Sequence, residues 1–308
     1  MSDLSTALEG YLGLRRSLGY KLERAGEVLA DFVAYLHRAG ARTITIELAV
    51  AWAVLSTNAE SAWRAQRLGM VRGFARYMQA LDPGTEVPPA DLLPGARRRP
   101  APFLYSDAHI TALMTAARGL RSPLRSATLE TFIGLLAVTG LRVGEAIRLD
   151  RDDVDFEQGL LIVRNSKLGK SRSVPLHPSA IDALRAYSAR RDQLCPFPRV
   201  ASFFVSTTGT RLLTGPLQMA FTDLLRQAGL PRRSRRGGPR LQDMRHTFAV
   251  QTLLGWYLHG REVEPQLPLL STYLGHVNPS STYWYLSAAP ELLAAAARRL
   301  DDTLGEPS

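Results

Sequence analysis

Four segments, far apart in a chain of 308 residues, hold the side chains whose types and spacing could do chemistry. The first, Thr139 to Leu149 (TGLRVGEAIRL), breaks one helix at Gly140 and opens another, with Arg142 in its first turn and Glu145 three residues on. The second is the polar turn of a β-hairpin expected over Gly159 to Leu176, and it carries Lys167 and Lys170. The third, Gln242 to Ala249 (QDMRHTFA), sets Gln242, Arg245 and His246 at helical spacings. In the fourth, Leu274 to Leu286 (LGHVNPSSTYWYL), Gly275 and the Asn278-Pro279 turn break a helix, and Ser280 can cap a short new one leading to Tyr285. Arginine supplies a permanent charge and a planar fork that fits phosphate oxygens, whereas lysine supplies an amine whose pKa its surroundings can tune. Of 38 basic residues only Lys21, Lys167 and Lys170 are lysines, so two of the three fall in one turn. Each segment also has an ordinary reading. Arg142 and Glu145 can be a helix-surface pair, Arg245 a surface contact and the lysines solvated turn residues. His276 can be a helix C-cap residue, and Tyr283, Trp284 and Tyr285 can be core.

Taken together, the four segments resemble the tyrosine recombinase (phage integrase) family. That family has an arginine in a TGLRxxE-type box, a lysine in a β-hairpin, an HxxRH box, and LGH followed nine residues later by a nucleophilic tyrosine. Arg142, Lys167, Arg245, His276 and Tyr285 fall on those positions, Glu145 falls on the supporting acid, and His246 closes the third box. The match spans roughly residues 105–290. The resemblance implies that Tyr285 attacks a DNA phosphate, with Tyr283 as fallback, while Arg142 and Arg245 grip the non-bridging oxygens and His276 donates to the same phosphate. It implies that Lys167 protonates the departing 5′-oxygen, with Lys170 the competing residue; arginine, with a pKa above about 12, cannot do this. One position departs from the pattern: Gln242 stands where the third box usually begins with histidine. An amide can donate to a phosphate oxygen but accepts no proton at neutral pH. The proton of Tyr285 then goes to water, His246 or His276, or the enzyme is slow. His37, His109, His177 and His259 match no site pattern, and neither a metal nor a nucleotide cofactor is expected.

The elements that must position these residues read as mainly α. Residues 1–82 show the apolar periodicity of a helical bundle, a SAM-like core-binding domain by the resemblance, that clamps DNA. Its last helix carries Arg64, Arg67, Arg72 and Arg76, which either meet phosphates or form a solvated face. Residues 83–104 hold six prolines from Pro83 to Pro102 together with Arg97, Arg98 and Arg99, and read as a basic linker. Residues 105–308 read as a mainly helical catalytic domain with a small antiparallel β-sheet, ending in a helix over 290–304 that packs on its own domain or on a neighbour. A formal charge of +10 and a pI near 10.1 favour a polyanionic partner. The single cysteine, Cys195, fits a reducing compartment, no apolar run approaches a membrane span, and the polar N-terminus is unlike a signal peptide. The expected setting is cytoplasmic and nucleoid-associated. The expected partners are duplex DNA with a specific recombination site, further copies of the chain (a monomer when free, a tetramer in synapsis) and partner recombinases. The rival readings are a catalytically impaired DNA-binding accessory protein and a type IB topoisomerase-like relaxing enzyme.

Overall fold

Helix-start and helix-stop residues account for much of the architecture. The computed structural model describes residues 3–55, 61–94, 102–164, 171–231, 238–276, 282, 283 and 285. Lys167, Lys170, Arg97, Arg98, Arg99 and the helix expected over 290–304 lie outside the described residues. Backbone contacts divide the chain into two compact units, Met1–Arg99 and Pro100–Ser308.

The first unit is helical: α1 (Leu4–Ser17), α2 (Glu23–Arg38), α3 (Ile46–Val54) and α4 (Ser61–Gln79). Thr45 starts α3 by accepting a hydrogen bond from the Leu48 amide at 3.2 Å, which satisfies a donor the helix itself leaves unpaired. Leu8, Phe32, Trp52, Val71 and Phe74 meet in its core. The stretch expected to open the linker is stitched to this unit. Arg72 donates to the carbonyls of Pro88 (2.7 Å) and Pro89 (2.6 Å), Glu86 exchanges bonds with Ile44 and Ile46, and Val87 and Leu93 pack on the core. Proline prevents regular structure here, but its carbonyls still accept hydrogen bonds.

The second unit runs α5 (Asp107–Arg118), α6 (Pro123–Thr139), α7 (Val143–Arg148), β1 (Val154–Asp155), β2 (Leu160–Val163), β3 (Arg172–Pro175), α8 (Pro178–Leu194), α9 (Thr214–Gln227), α10 (Asp243–Leu258) and α11 (Leu267–Leu274). The strands form an antiparallel sheet in the order β1-β2-β3, with Leu161 opposite Val174 and Val163 opposite Arg172. β1 is an addition to the expected hairpin. The β-like run at Ser202 to Val205 contributes only isolated bridges, while Phe203 and Phe204 fill the core beside Phe132 and Tyr187. Ser106 starts α5 in a capping box with His109, and His177 caps α8 through its Nδ1, so these two histidines serve helix termini. Among the described residues no helix is long and apolar enough to cross a membrane.

Candidate active site

The end of α11 organises the site. A helix leaves its last carbonyls without intrahelical partners, at the negative end of its dipole. Here three successive carbonyls each receive a guanidinium. Arg172 Nε donates to Tyr273 at 2.8 Å, Arg245 Nη2 to Leu274 at 2.6 Å and Arg142 Nη2 to Gly275 at 2.9 Å. Gly275 stops the helix with a left-handed backbone (φ 66°), and the amide of His276 closes back onto the Ser271 carbonyl at 2.9 Å.

A second helix end contributes in the same way. Gly140 ends α6 at φ 60°, and its carbonyl accepts from Arg245 Nη1 at 3.0 Å. Two residues on, Arg142 is the N-cap of α7 rather than a residue of its first turn, because its backbone is still extended. Glu145, at the third position of that helix, accepts from the Arg142 amide (3.0 Å) and from Arg142 Nη1 (2.7 Å). Arg172 completes the carboxylate's shell with bonds of 3.1 and 2.9 Å. Burial alone would raise the pKa of Glu145, which is 3% exposed, but the bonds and charges of Arg172 and Arg142 outweigh it and hold the value at about 2.

Arg245 is buried on the first turn of α10, with two of its five N–H donors spent on the carbonyls just named. Burial, reinforced by the neighbouring Arg142, lowers its pKa to about 10, so it remains cationic at neutral pH. Gln242 caps the start of α10 in a helical backbone conformation, and no hydrogen bond engages its side chain among the described residues. His246, next to Arg245, faces Tyr285: its Nδ1 lies 3.1 Å from the phenolic oxygen. The ring of His276 stacks beside Tyr285 at 6.1 Å and 23°, and its Nδ1 meets Thr282 Oγ1 at 2.7 Å. Burial, followed by the charges of Arg245 and Arg142, lowers the His276 pKa to about 4, so at neutral pH it is an uncharged imidazole.

Arg142, Glu145, Arg245, His246, His276 and Tyr285, expected from sequence, therefore converge. Tyr285 is 2% exposed and packs against Ala249, Leu253 and Leu274, whereas the fallback Tyr283 is 52% exposed. Lys167 lies outside the described residues, but the strands flanking its turn are in place, and Arg172 at the start of β3 ties that hairpin to Glu145 and α11. Sequence reading passed over Arg172. Its signal was alternation: it shares a strand face with buried Val174, and an arginine on a buried face requires partners.

The arginines of α4 divide. Arg67 is buried, lies over the Trp52 ring at 3.8 Å and pairs with Asp31 at 3.4 Å. Arg72 holds the proline segment. Arg76 is exposed and Arg64 is half-buried. Arg67 and Arg72 thus bind within their own unit. Helical spacing foretells this for Arg67, four residues after Trp63 and four before Val71, on the apolar face. Among the described residues no group of three or more His, Cys, Asp or Glu side chains is arranged to hold a metal ion.

A mainly helical domain with a small antiparallel sheet, its arginines gathered on helix ends beside a buried tyrosine, is the catalytic fold of a tyrosine recombinase. The chain belongs to the phage integrase family, whose model matches residues 104–291; tyrosine recombinases of this family are DNA strand-transferring enzymes. A Sinorhizobium fredii protein named as an integrase/recombinase, y4rB, is 45% identical over 98% of both chains. The tyrosine recombinase XerD of Mycobacterium tuberculosis is 32% identical over 74% of this chain and 70% of its own. Among solved structures, the Tn1549 transposon integrase in complex with transposon right end DNA superposes with a TM-score of 0.68 at 17% identity, covering 99% of this chain and 100% of that one. A lambda integrase tetramer bound to a Holliday junction gives 0.60 at 19% identity, covering 92% and 76%. These two likenesses speak to the fold.

Proposed function

We propose that this chain is a site-specific recombinase that cleaves and rejoins duplex DNA through a 3′-phosphotyrosyl intermediate on Tyr285, in the integration, excision or transposition of a mobile element. The observation that carries the proposal is the buried Tyr285 hydroxyl, 3.1 Å from His246 Nδ1 and flanked by His276. Tyr285 and Arg142 both act electrostatically on Arg245, which supports a hydroxyl within the field of the arginine pair.

In-line attack on a phosphodiester builds negative charge on the non-bridging oxygens, and fixed donors around that charge are commonly the largest catalytic contribution. Arg142 and Arg245 are anchored by backbone carbonyls, so their remaining N–H donors are oriented before DNA arrives. His276, neutral and held through Nδ1, donates to the same phosphate, and Gln242 adds an amide N–H. Lys167 protonates the departing 5′-oxygen. The phosphotyrosine conserves the energy of the broken bond, so rejoining consumes no nucleotide. The mobile-element role draws on the integrase naming of the y4rB relative and on the transposon DNA held by the Tn1549 enzyme. The DNA partner carries a specific site, and four copies, alone or with a partner recombinase, act in synapsis, as the lambda tetramer does on its junction.

A nicked suicide duplex of the target site tests this. Wild-type protein forms a covalent adduct that Tyr285→Phe abolishes, and it exchanges strands between two sites. Binding with no adduct identifies a non-catalytic accessory protein instead, and relaxation without exchange identifies a topoisomerase.

A further inference from the structure

A phenol with a pKa near 10 is only about one part in a thousand ionised at neutral pH, so Tyr285 needs a proton acceptor to attack phosphorus. Position 242 supplies an amide, which cannot serve. We propose that His246 is that acceptor, through its Nδ1 atom. The inference rests on the recombinase reading above and assigns a role within that site.

Geometry singles out His246. Its Nδ1 is 3.1 Å from the Tyr285 oxygen, and the two rings are tilted by 57°, which is compatible with a ring nitrogen meeting the hydroxyl. Both side chains are buried, which removes bulk water as the ready acceptor. The imidazole sits on α10 directly after Arg245, so one helix turn fixes the acceptor and part of the phosphate clamp together. The other titratable groups nearby are committed elsewhere. The His276 ring stacks on Tyr285, uses Nδ1 on Thr282, and has its basicity depressed by burial and by Arg245 and Arg142. Glu145 is engaged by Arg142 and Arg172, and Asp243 by Arg240. A charge on His246 also disfavours one on His276.

In the step itself, the Tyr285 O–H proton passes to His246 Nδ1 as the phenolic oxygen bonds to phosphorus. The bond from phosphorus to the 5′-oxygen breaks, and that oxygen takes its proton from Lys167. In rejoining, the 5′-hydroxyl returns its proton to Lys167 as it attacks, and the departing phenolate recovers its own from His246. Nδ1 accepts only in the tautomer that carries hydrogen on Nε2.

The test measures single-turnover cleavage of the nicked duplex by the full chain across pH. Wild type slows as pH falls and the acceptor becomes protonated. His246→Asn lowers the rate about 10²–10⁴-fold, the usual contribution of a general base, and flattens that acidic limb. A fluorinated tyrosine at position 285, whose phenol ionises more readily, restores much of the loss in His246→Asn. An equal loss with tyrosine and fluorotyrosine marks a purely structural histidine and overturns the proposal, as does a His246→Asn enzyme of wild-type rate and profile. Gln242→His changes the rate by less than about tenfold; a gain of orders of magnitude shows that the acceptor was missing and overturns it too. Cleavage that survives Tyr285→Phe instead refutes the recombinase reading itself.

Discussion

Glu145 shows how a single buried carboxylate orders a positively charged centre. It receives both Arg142 and Arg172, and through them it holds the guanidinium groups whose other bonds go to the end of α11. Because folding lowers its pKa from 4.5 to about 2, the unfolded chain binds its proton more readily than the native one. The stabilisation is therefore full above pH 4.5 and is lost as pH falls towards 2. At about 1.4 kcal/mol per pKa unit it amounts to about 3 kcal/mol at neutral pH. Urea unfolding of wild type and Glu145→Gln between pH 7 and pH 2.5 checks this: the stability gap between them narrows steadily below pH 4.5, and parallel curves count against it. Arg172→Ala acts from the other side, leaving a buried carboxylate short of two bonds. Its expected cost is about 3–5 kcal/mol in the same assay, the usual penalty for removing one partner of a buried pair.

Helix ends are the elements that build the site, and they explain what the sequence makes legible. Gly140, Gly275, Thr45 and Ser106 sit where helices stop or start, and their reasons are local: a left-handed backbone, or a side chain that caps an amide. The hairpin around Lys167 is legible for the same reason, as two β-prone runs flank a polar turn. What the sequence hides is partnership at a distance. Nothing near Arg172 announces that it reaches Glu145, 27 positions earlier, and Tyr273, 101 positions later. The folding of the proline stretch onto α4 is hidden likewise, because it depends on tertiary neighbours. Gly275 joins the local and the distant. A Cβ there adopts the strained φ of 66° and falls 2.8 Å from Arg172 Nη1, a group that Glu145 and Tyr273 hold in place. Gly275→Ala is expected to lose about 1–3 kcal/mol from backbone strain, with the clash in addition. Cleavage falls with it as the α11 carbonyls shift. Gly229→Ala is the control, since it shares the positive φ (68°) but meets nothing within 4 Å. Thermal melts and cleavage rates separate the two: a larger stability loss in Gly275→Ala, with activity kept only in Gly229→Ala, is the expected pattern, and equal activity in both removes Gly275 from the site's support.

At the scale of the whole chain, charge and core obey separate rules. Each compact unit carries its own apolar cluster, around Phe32, Trp52 and Phe74 in the first and around Phe132, Leu161 and Phe204 in the second. The formal charge of the chain is +10, and arginine rather than lysine supplies most of the positive side. If that charge meets DNA, binding releases counterions, and log K falls with log salt by about 0.9 for each phosphate neutralised. The arginines of α4 then have distinct signatures. Arg76 is exposed, so Arg76→Ala is expected to weaken binding and reduce the salt slope by about one while leaving the melting temperature unchanged. Arg67 is buried against Trp52 and Asp31, so Arg67→Ala is expected to lower the melting temperature and leave the salt slope as it was. Fluorescence-anisotropy titrations with duplex DNA at several salt concentrations, paired with thermal melts, measure both. An unchanged slope in Arg76→Ala takes this helix face out of the DNA interface, and a reduced slope in folded Arg67→Ala shows that its contacts inside the unit open when DNA binds.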